Sequence, residues 1–458
     1  MNLRGLLIAA VLLTVLMPTT AFCQDQLWLA DRKYTIGPGY RVGDFELHPG
    51  FATEFGYDSN FFLRAKQDIT GLPIDSLRLR LTPSFSFSTL GPQRRAGGGN
   101  QSPPSMEVYG GLSATYNEFF GITGSEEDKT KISAQRNVSG QADIRLTFNP
   151  GRPWSGSIMG SFARLIQPSQ EGFIGQGFNR MVPTAGAELV WTPNNGTLDW
   201  RLGYNMTGTI FESDPYRGLT NFNHTLQMRG RWRFLPRSAL IYDARFSFIQ
   251  YLNPEEKANS MPVRAELGYN GLITNNLGAL LLVGWGSSFY DPNQSEKPEQ
   301  VQDFDSVIGQ AELRYFLSPG RSADPAATSS SMSSFALGFT RDFYDNYIGS
   351  FFERDRGYVK LTYYLGGKFV FIVDAGAAAL VNPTIKTRTY TEPGWTDTRV
   401  DAAAFGEYRI KDAFGINATL RYGTRVSTKG LPLLDNPELK DKLQWSQFEA
   451  YLGARWLM

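Results

Sequence analysis

Apolar and polar residues alternate with a period of two along most of this chain, and the pattern is cleanest over residues 77–87. There Leu77, Leu79, Leu81, Phe85 and Phe87 interleave with Arg78, Arg80, Thr82, Ser84 and Ser86. Successive side chains of a strand point to opposite faces, so the stretch predicts a strand with one greasy and one wet side. Residues 45–57 repeat it, with Phe45, Leu47, Phe51, Phe55 and Tyr57 set against Glu46, His48 and Glu54. The final residues do the same: Phe448, Ala450, Leu452, Ala454, Trp456 and Met458 share one face, while Glu449, Tyr451 and Arg455 take the other. The same template predicts strands near 106–117, 137–148, 154–165, 180–191, 198–211, 221–234, 239–250, 262–273, 277–290, 304–317, 334–344, 354–365, 369–382, 397–410 and 413–425. The total is about 18, each at or above the roughly 9–11 residues a strand needs to cross a bilayer at a tilt.

A strand such as 448–458 is a sticky edge unless something pairs with it. Pairing with the first strand closes the sheet, and a closed sheet is one of the two structures a hydrocarbon layer tolerates. The expected fold is therefore all-β: a transmembrane antiparallel up-and-down β-barrel over residues 44–458, in an outer membrane and surrounded by its lipid.

The connections support this by falling into two classes. Long polar links follow most odd strands: 58–71, 121–135, 167–179, 291–302, 382–396 and 426–441. Tight turns follow most even strands, such as Asn149-Pro150-Gly151, Leu235-Pro236-Arg237-Ser238 and Thr274-Asn275-Asn276. Outer-membrane barrels have short periplasmic turns and long external loops, and an even strand number puts both ends on the periplasmic side. Two links break the rule. Residues 91–105 and 318–333 are rich in Gly, Pro, Ser and Ala and fall at the inner side; they read as flexible insertions or as docking points for a periplasmic partner. Trp154, Trp191, Trp200, Trp232 and Trp456 all take the apolar parity near predicted periplasmic ends, and Tyr57, Tyr116 and Phe289 take it near the opposite ends. Two such bands are the aromatic girdles of a membrane barrel. A soluble two-sheet protein has no reason to sort its tryptophans in this way.

The N-terminus fits the compartment. Arg4, an apolar run from Leu6 to Met17, and Ala21-Phe22-Cys23 read as a signal peptide over residues 1–23, followed by a short periplasmic lead over 24–43. The only cysteine, Cys23, leaves with that leader, so neither a disulfide scaffold nor thiolate metal chemistry is expected. No window reaches the 18 or more apolar residues of a spanning helix. A content of 41% hydrophobic and 14% aromatic residues with 47 Gly in 458 positions suits a chain whose apolar residues are interleaved rather than massed. Without Arg4 the basic and acidic residues balance, which argues against nucleic acid as a partner.

A barrel of this size leaves an aqueous channel, so the wet parity should line it. Arg201, Arg229, Arg231, Arg233 and Arg245 fall there together, against Asp199 and Asp243, an excess of about three positive charges. Such a cluster either attracts an anionic solute or polymer, or forms a neutralised Arg–Asp ladder that stiffens the wall. Both readings stay open. Enzyme chemistry finds little support. His48 takes the inward parity beside Pro49, His224 the outward parity, and neither stands in a His-x-Ser-Asn setting. No P-loop, Rossmann glycine pattern or metal-ligand cluster is present, and Gly97-Gly98-Gly99 lacks a following helix. Neither catalysis nor a cofactor is expected.

Two resemblances add to this. The spacing of Tyr451, Gly453, Trp456 and Met458 resembles the C-terminal signal read by the outer-membrane barrel assembly machinery, with Met where an aromatic residue is usual. Val42-Gly43-Asp44-Phe45-Glu46-Leu47-His48-Pro49, followed by Gly56-Tyr57-Asp58-Ser59-Asn60-Phe61-Phe62, resembles the opening of the type 2 β-barrel porin family, which includes outer-membrane porins of exopolysaccharide secretion systems. That resemblance implies a barrel of about 18 strands through which a polysaccharide leaves the cell, served by a separate periplasmic polysaccharide export protein. The alternatives are a general or substrate-selective diffusion porin and a structural or adhesin barrel. An external loop folded inward to narrow the pore would favour diffusion. An open or loop-capped lumen lined with aromatic and Arg side chains would favour polymer export, and a filled, non-conducting lumen would favour the structural barrel.

Overall fold

The computed structural model describes residues 39–66, 72–90, 104–166, 179–193, 196–255, 257–291, 302–317, 333–346, 350–366, 368–386, 391–411, 413–432 and 440–458. Its barrel strands are β1 (Phe45–Asp58), β2 (Ser76–Thr89), β3 (Met106–Gly121), β4 (Asn137–Phe148), β5 (Trp154–Leu165) and β6 (Arg180–Trp191). They continue with β7 (Leu198–Phe211), β8 (Asn221–Leu235), β9 (Ser238–Tyr251), β10 (Ser260–Leu272), β11 (Leu277–Tyr290) and β12 (Phe304–Phe316). The last six are β13 (Ser334–Asp345), β14 (Phe351–Leu365), β15 (Phe369–Asn382), β16 (Trp395–Lys411), β17 (Phe414–Val426) and β18 (Trp445–Leu457). Each strand pairs antiparallel with the next, and β18 returns to β1 in a register running from Gly50↔Leu457 to Asp58↔Glu449. The sheet is thus a closed 18-stranded up-and-down barrel, as the alternation predicts. The signal peptide, the lead as far as Pro38, and residues 91–103 and 318–332 of the two inner links lie outside the described residues.

Closure depends on the C-terminal strand finding room against β1. Gly56 provides it: a Cβ there would stand 2.0 Å from the Tyr451 ring and 2.6 Å from the Ala450 carbonyl oxygen. Backbone cannot yield as a flexible side-chain tip can, so overpacking here falls directly on the seam. Gly56→Val is expected to destabilise the barrel by about 1–3 kcal/mol. Its midpoint in urea should fall, read as loss of the folded form on gels run without heating; an unchanged midpoint would show that the seam relaxes around the added methyls.

The two faces separate as expected. Phe55, Leu267, Leu281, Leu337, Leu420 and Leu452 are exposed, with Leu452 at 69%, while their sequence neighbours turn inward. So large an apolar surface is stable only against hydrocarbon. The chain is an outer-membrane β-barrel. Aromatic rings mark the two edges of its apolar band. Trp154 stacks on Trp191 with centroids 5.7 Å apart, Trp191 pairs with Trp200, and Trp232 and Trp456 join them at the end that holds the start of β1 and the end of β18. Tyr116, Trp285 and Phe289 are exposed near the other end.

The described links depart from plain loops in several places: a 3-10 turn at Asp214–Leu219, short hairpins pairing Ile385–Lys386 with Thr391–Glu392 and Gly430–Pro432 with Lys440–Lys442, and two larger features. Tyr40–Val42 folds back on the start of β1 as a short strand, with Tyr40↔Leu47 and Val42↔Phe45. The link after β3 holds a helix, α1 (Glu126–Ser133), capped by Ser125, whose hydroxyl accepts from the Asp128 amide while Asp128 accepts from the Ser125 amide. Glu126, Glu127 and Asp128 fill its first turn, where negative charge opposes the helix dipole. Ser125-Glu126-Glu127-Asp128 is a capping signature that period-two reading passes over.

Candidate functional site

All five arginines singled out from the sequence project from the inner face of β7, β8 and β9. The register sets Asp199 opposite Arg231, Arg201 opposite Arg229, and Arg229 opposite Asp243. Arg201 Nε lies 2.8 Å from Asp199 Oδ1, and Arg245 Nε 2.6 Å from Asp243 Oδ1. Glu188 of β6 also enters, 2.6 Å from Arg229 and 3.5 Å from Arg201. Three acids rather than two therefore face the five arginines, and the local excess is smaller than expected. Glu188 was missed because it sits one strand outside the cluster, although its inward parity was legible. Arg231 reaches Asp199 only at 3.9 Å, and Arg233 has no carboxylate within ion-pair distance among the described residues. The ladder is neutralised along Arg201, Arg229 and Arg245 and leaves positive charge at the periplasmic end of β8.

The inner face is not evenly wet. Gln141 and Arg145 of β4 and Ser161 of β5 point inward and are exposed, so that side of the barrel borders open space. From β16 through the closure to β3, the inward polar residues are instead buried against one another. Arg80 stands 3.5 Å from Glu54 and 4.0 Å over the Tyr451 ring, and the Tyr451 hydroxyl donates to Glu449 at 2.7 Å. Glu407 accepts from Arg409 at 2.9 Å and from Arg455. Phe405 shares an apolar cluster with Ala52 and Ile372, so side chains of β16, β1 and β15 meet across the inner face of β17 and β18. The expectation of a water-lined inner parity is thus corrected on this side. A second correction concerns β11, where Leu280 and Leu282 turn inward and cluster with Ile241 of β9. The run Leu280-Leu281-Leu282-Val283 is apolar on both parities, so one face had to point inside.

Midway along the adjoining wall of β14, β15 and β16, Arg356 bridges Asp374 at 2.8 Å and Asp401 at 2.6 Å. Tyr358 lies between Arg356 and Lys360 and donates to Glu312 at 2.8 Å. Described segments also fold in from the external rim. Phe61 and Phe62, just after β1, pack on Phe119, Ile74 and Ile132, and the Asn60 carboxamide donates to Ser446 O at 2.9 Å. The distal arms of β13 and β14 lie over the inner face of β11 and β12, where Phe343 stacks on Phe304 with centroids 4.2 Å apart. Phe343 shares sequence parity with Phe335, Leu337 and Phe339, which are exposed on the outside. The strand turns inward between Phe339 and Phe343, and no period-two pattern could reveal that.

Both histidines have nearby partners. His48 Nδ1 lies 3.0 Å from Met458 O and its Nε2 3.5 Å from Glu46, so it clasps the chain end. His224 faces outward and meets the Tyr204 hydroxyl at 2.7 Å. Of the four residues of the C-terminal pattern, Tyr451 and Gly453 face inward, Trp456 faces outward, and the Met458 amide donates to Pro49 O at 3.0 Å. Among the described residues no group of three or more His, Cys, Asp or Glu could hold a metal ion.

One carboxyl group outside the strands titrates in a predictable sense. Glu212, just beyond β7, accepts from Arg164 at 2.6 and 2.7 Å, and this pairing holds its carboxyl below the ordinary value of 4.5. A depressed carboxyl contributes stability above its unfolded pKa and loses it as pH falls through the folded one. Acidification below about pH 4.5 should therefore loosen this loop. Proteolysis near residue 212 should rise in acid for the native chain and already at pH 7 for Glu212→Gln; equal rates at both pH values would count against the tie.

No protein-family model matches the chain, and no curated protein matches it in sequence. Among solved structures, OccK7 (OpdD) of Pseudomonas aeruginosa is similar at a TM-score of 0.46 and 10% identity, over 91% of this chain and 99% of that one. The FrpB iron transporter of Neisseria meningitidis (F5-1 variant, apoprotein form) gives 0.45 and 9%, over 90% and 81%. A bacterial polysaccharide outer membrane secretin gives 0.34 and 11%, over 90% and 97%. All three scores lie below 0.5, and the barrel architecture rests on its own strand pairing.

Proposed function

We propose that this barrel is a non-enzymatic conduit that carries an exopolysaccharide across the outer membrane. The observation that supports it is the chemistry of the inner wall. Its cations are nearly all arginine, tyrosines stand among them, and exposed inward groups such as Gln141 and Arg145 border open space. Guanidinium forks and aromatic faces suit a polyhydroxylated, negatively charged chain, because they bind through many weak, replaceable contacts. A periplasmic export protein would deliver the polymer. Deleting the gene should abolish surface polysaccharide and leave small-solute uptake intact; the reverse result rejects the reading.

One observation favours a second reading, a substrate-selective diffusion channel. The β13–β14 arms fold onto the inner wall, and an inward fold of this kind narrows the opening it lies over. In planar bilayers a diffusion channel would show saturable flux of a small solute, whereas a polymer conduit would be blocked by oligosaccharides of the cargo.

A further inference from the structure

We infer that the distal arms of β13 and β14 form a hinged gate over the external mouth, held shut by two acid–base latches. The inference rests on the channel reading in its coarse form, whichever cargo passes.

The hinge is visible in the strand pairing. β12 pairs with β13 only as far as Gly309↔Arg341, although β12 itself begins at Phe304. On the other side, β14 pairs with β15 only from Glu353↔Val381. Between those points the two arms still pair with each other, out to Asp345↔Phe351. Beyond Arg341 and Glu353 the hairpin is therefore a two-stranded unit whose ladder bonds are internal. Its attachment to the wall is made by side chains, which can be broken without unravelling the barrel sheet.

Those side-chain contacts are of two kinds. One is aromatic: Phe343 and Phe351 pack with Phe304, Ile308 and Tyr290, and Tyr344 stacks on Phe352 at 5.4 Å above Ala378 and Leu380. Phe343 is fully covered, and a Cβ on Gly286 of β11 would stand 2.7 Å from its ring, so the glycine gives the ring its seat. The other kind is ionic and reaches across the barrel wall. Asp342 accepts from Arg264 Nε of β10 at 2.9 Å, and the same guanidinium lies 3.9 Å over the Phe343 ring. Asp345 lies 3.4 Å from Lys257 Nζ and accepts from the Tyr251 hydroxyl, while Lys257 also donates to Asn346 O at 2.7 Å. Lys257 is 5% exposed, and the hairpin gives this buried ammonium the Asp345 carboxylate and the carbonyl oxygens of Asn346 and Ser350, the last at 3.4 Å. Arg264, Tyr251 and Lys257 come from β10, β9 and the loop between them. The hairpin thus spans the inner face from β12 to β9, and both of its acids sit on the moving side of the hinge.

A permanently closed hairpin could be sealed by apolar packing alone. Carboxylates set against cations at the rim allow release when a charged cargo or partner competes for either side. Beneath the arms lies Ser288, inward on β11 and fully covered.

The test uses the full-length protein in outer membranes or proteoliposomes, with Cys23 absent from the mature chain or replaced by serine. Ser288→Cys reports the gate: a membrane-impermeant maleimide added from outside should label it slowly in the otherwise native barrel. Adding Asp345→Asn with Asp342→Asn should raise the labelling rate at least about tenfold, and conductance in planar bilayers should rise with it. Tyr251→Phe is the milder version, keeping the ring and removing only the hydroxyl, and should give a smaller rise. Labelling that is already fast in the native background, or that changes less than about twofold in the latch variants, overturns the gate. Faster labelling with no conductance in any variant leaves the gate standing and sinks the channel reading instead.

Discussion

Replacing Asp397 with alanine is expected to cost the barrel about 3–5 kcal/mol, because it strands a buried cation. Arg425 and Asp397 face inward from adjacent strands at the external rim, with side chains 4% and 0% exposed. A single carboxylate oxygen, Asp397 Oδ2, accepts from Arg425 Nε at 3.1 Å, from Arg425 Nη2 at 2.5 Å and from Trp395 Nε1 at 3.0 Å. Removing the acid deprives three donors at once, and the guanidinium cannot shed its charge as a lysine could. Urea titration in detergent micelles, followed by tryptophan emission or by mobility of unheated samples, should show a markedly lower midpoint. The double variant Asp397→Leu with Arg425→Leu should recover much of the loss, since removing both charges together also removes the desolvation penalty. A single variant within about 1 kcal/mol of native would mean that water reaches this rim and screens the pair.

The seam and the rim explain why some of this molecule was legible in its sequence and some was not. Where one face of a strand meets lipid, parity is enforced at every second residue, because a one-residue slip would bury Arg80 in hydrocarbon and turn Leu81 to the inside. Strand number, order and the two aromatic bands follow from that constraint alone. The inner wall carries no such rule. Tyr451, Arg80 and Glu54 are joined by contacts between β18, β2 and β1, and Arg455 reaches Glu407 across β17. Sequence separation hides these partners, and alternation says only that each faces inward. Glu188 illustrates the middle case: its parity was visible, but its place beside Arg229 depended on a register between β6 and β8 that no turn in the sequence fixes. Phe343 illustrates the limit. Its parity matches the lipid face, and only the end of β12–β13 pairing at Arg341 sends it indoors.

The second large effect is expected at the periplasmic end of β8. Arg229 is tied to Glu188 and Arg201 to Asp199, so their charges are already answered. Arg231 is held loosely at 3.9 Å, and Arg233 has no acid partner among the described residues. An anion passing this wall would feel those two groups more than the paired ones, since a neutralised ladder has little field of its own. A unit charge about 4 Å from a passing ion in water-like surroundings is worth about 1 kcal/mol. Arg231→Glu with Arg233→Glu reverses two such charges, so the ratio of anion to cation permeability should fall by about tenfold or more. Reversal potentials across a salt gradient in planar bilayers would read this directly, and the change should shrink as ionic strength rises and screening shortens the reach of each charge. Arg229→Gln with Glu188→Gln supplies the contrast: it removes a bonded pair and leaves net charge unchanged, so selectivity should stay near native. If both pairs of substitutions shift the reversal potential equally, the selective field arises from the whole wall, and the end of β8 has no special part in it.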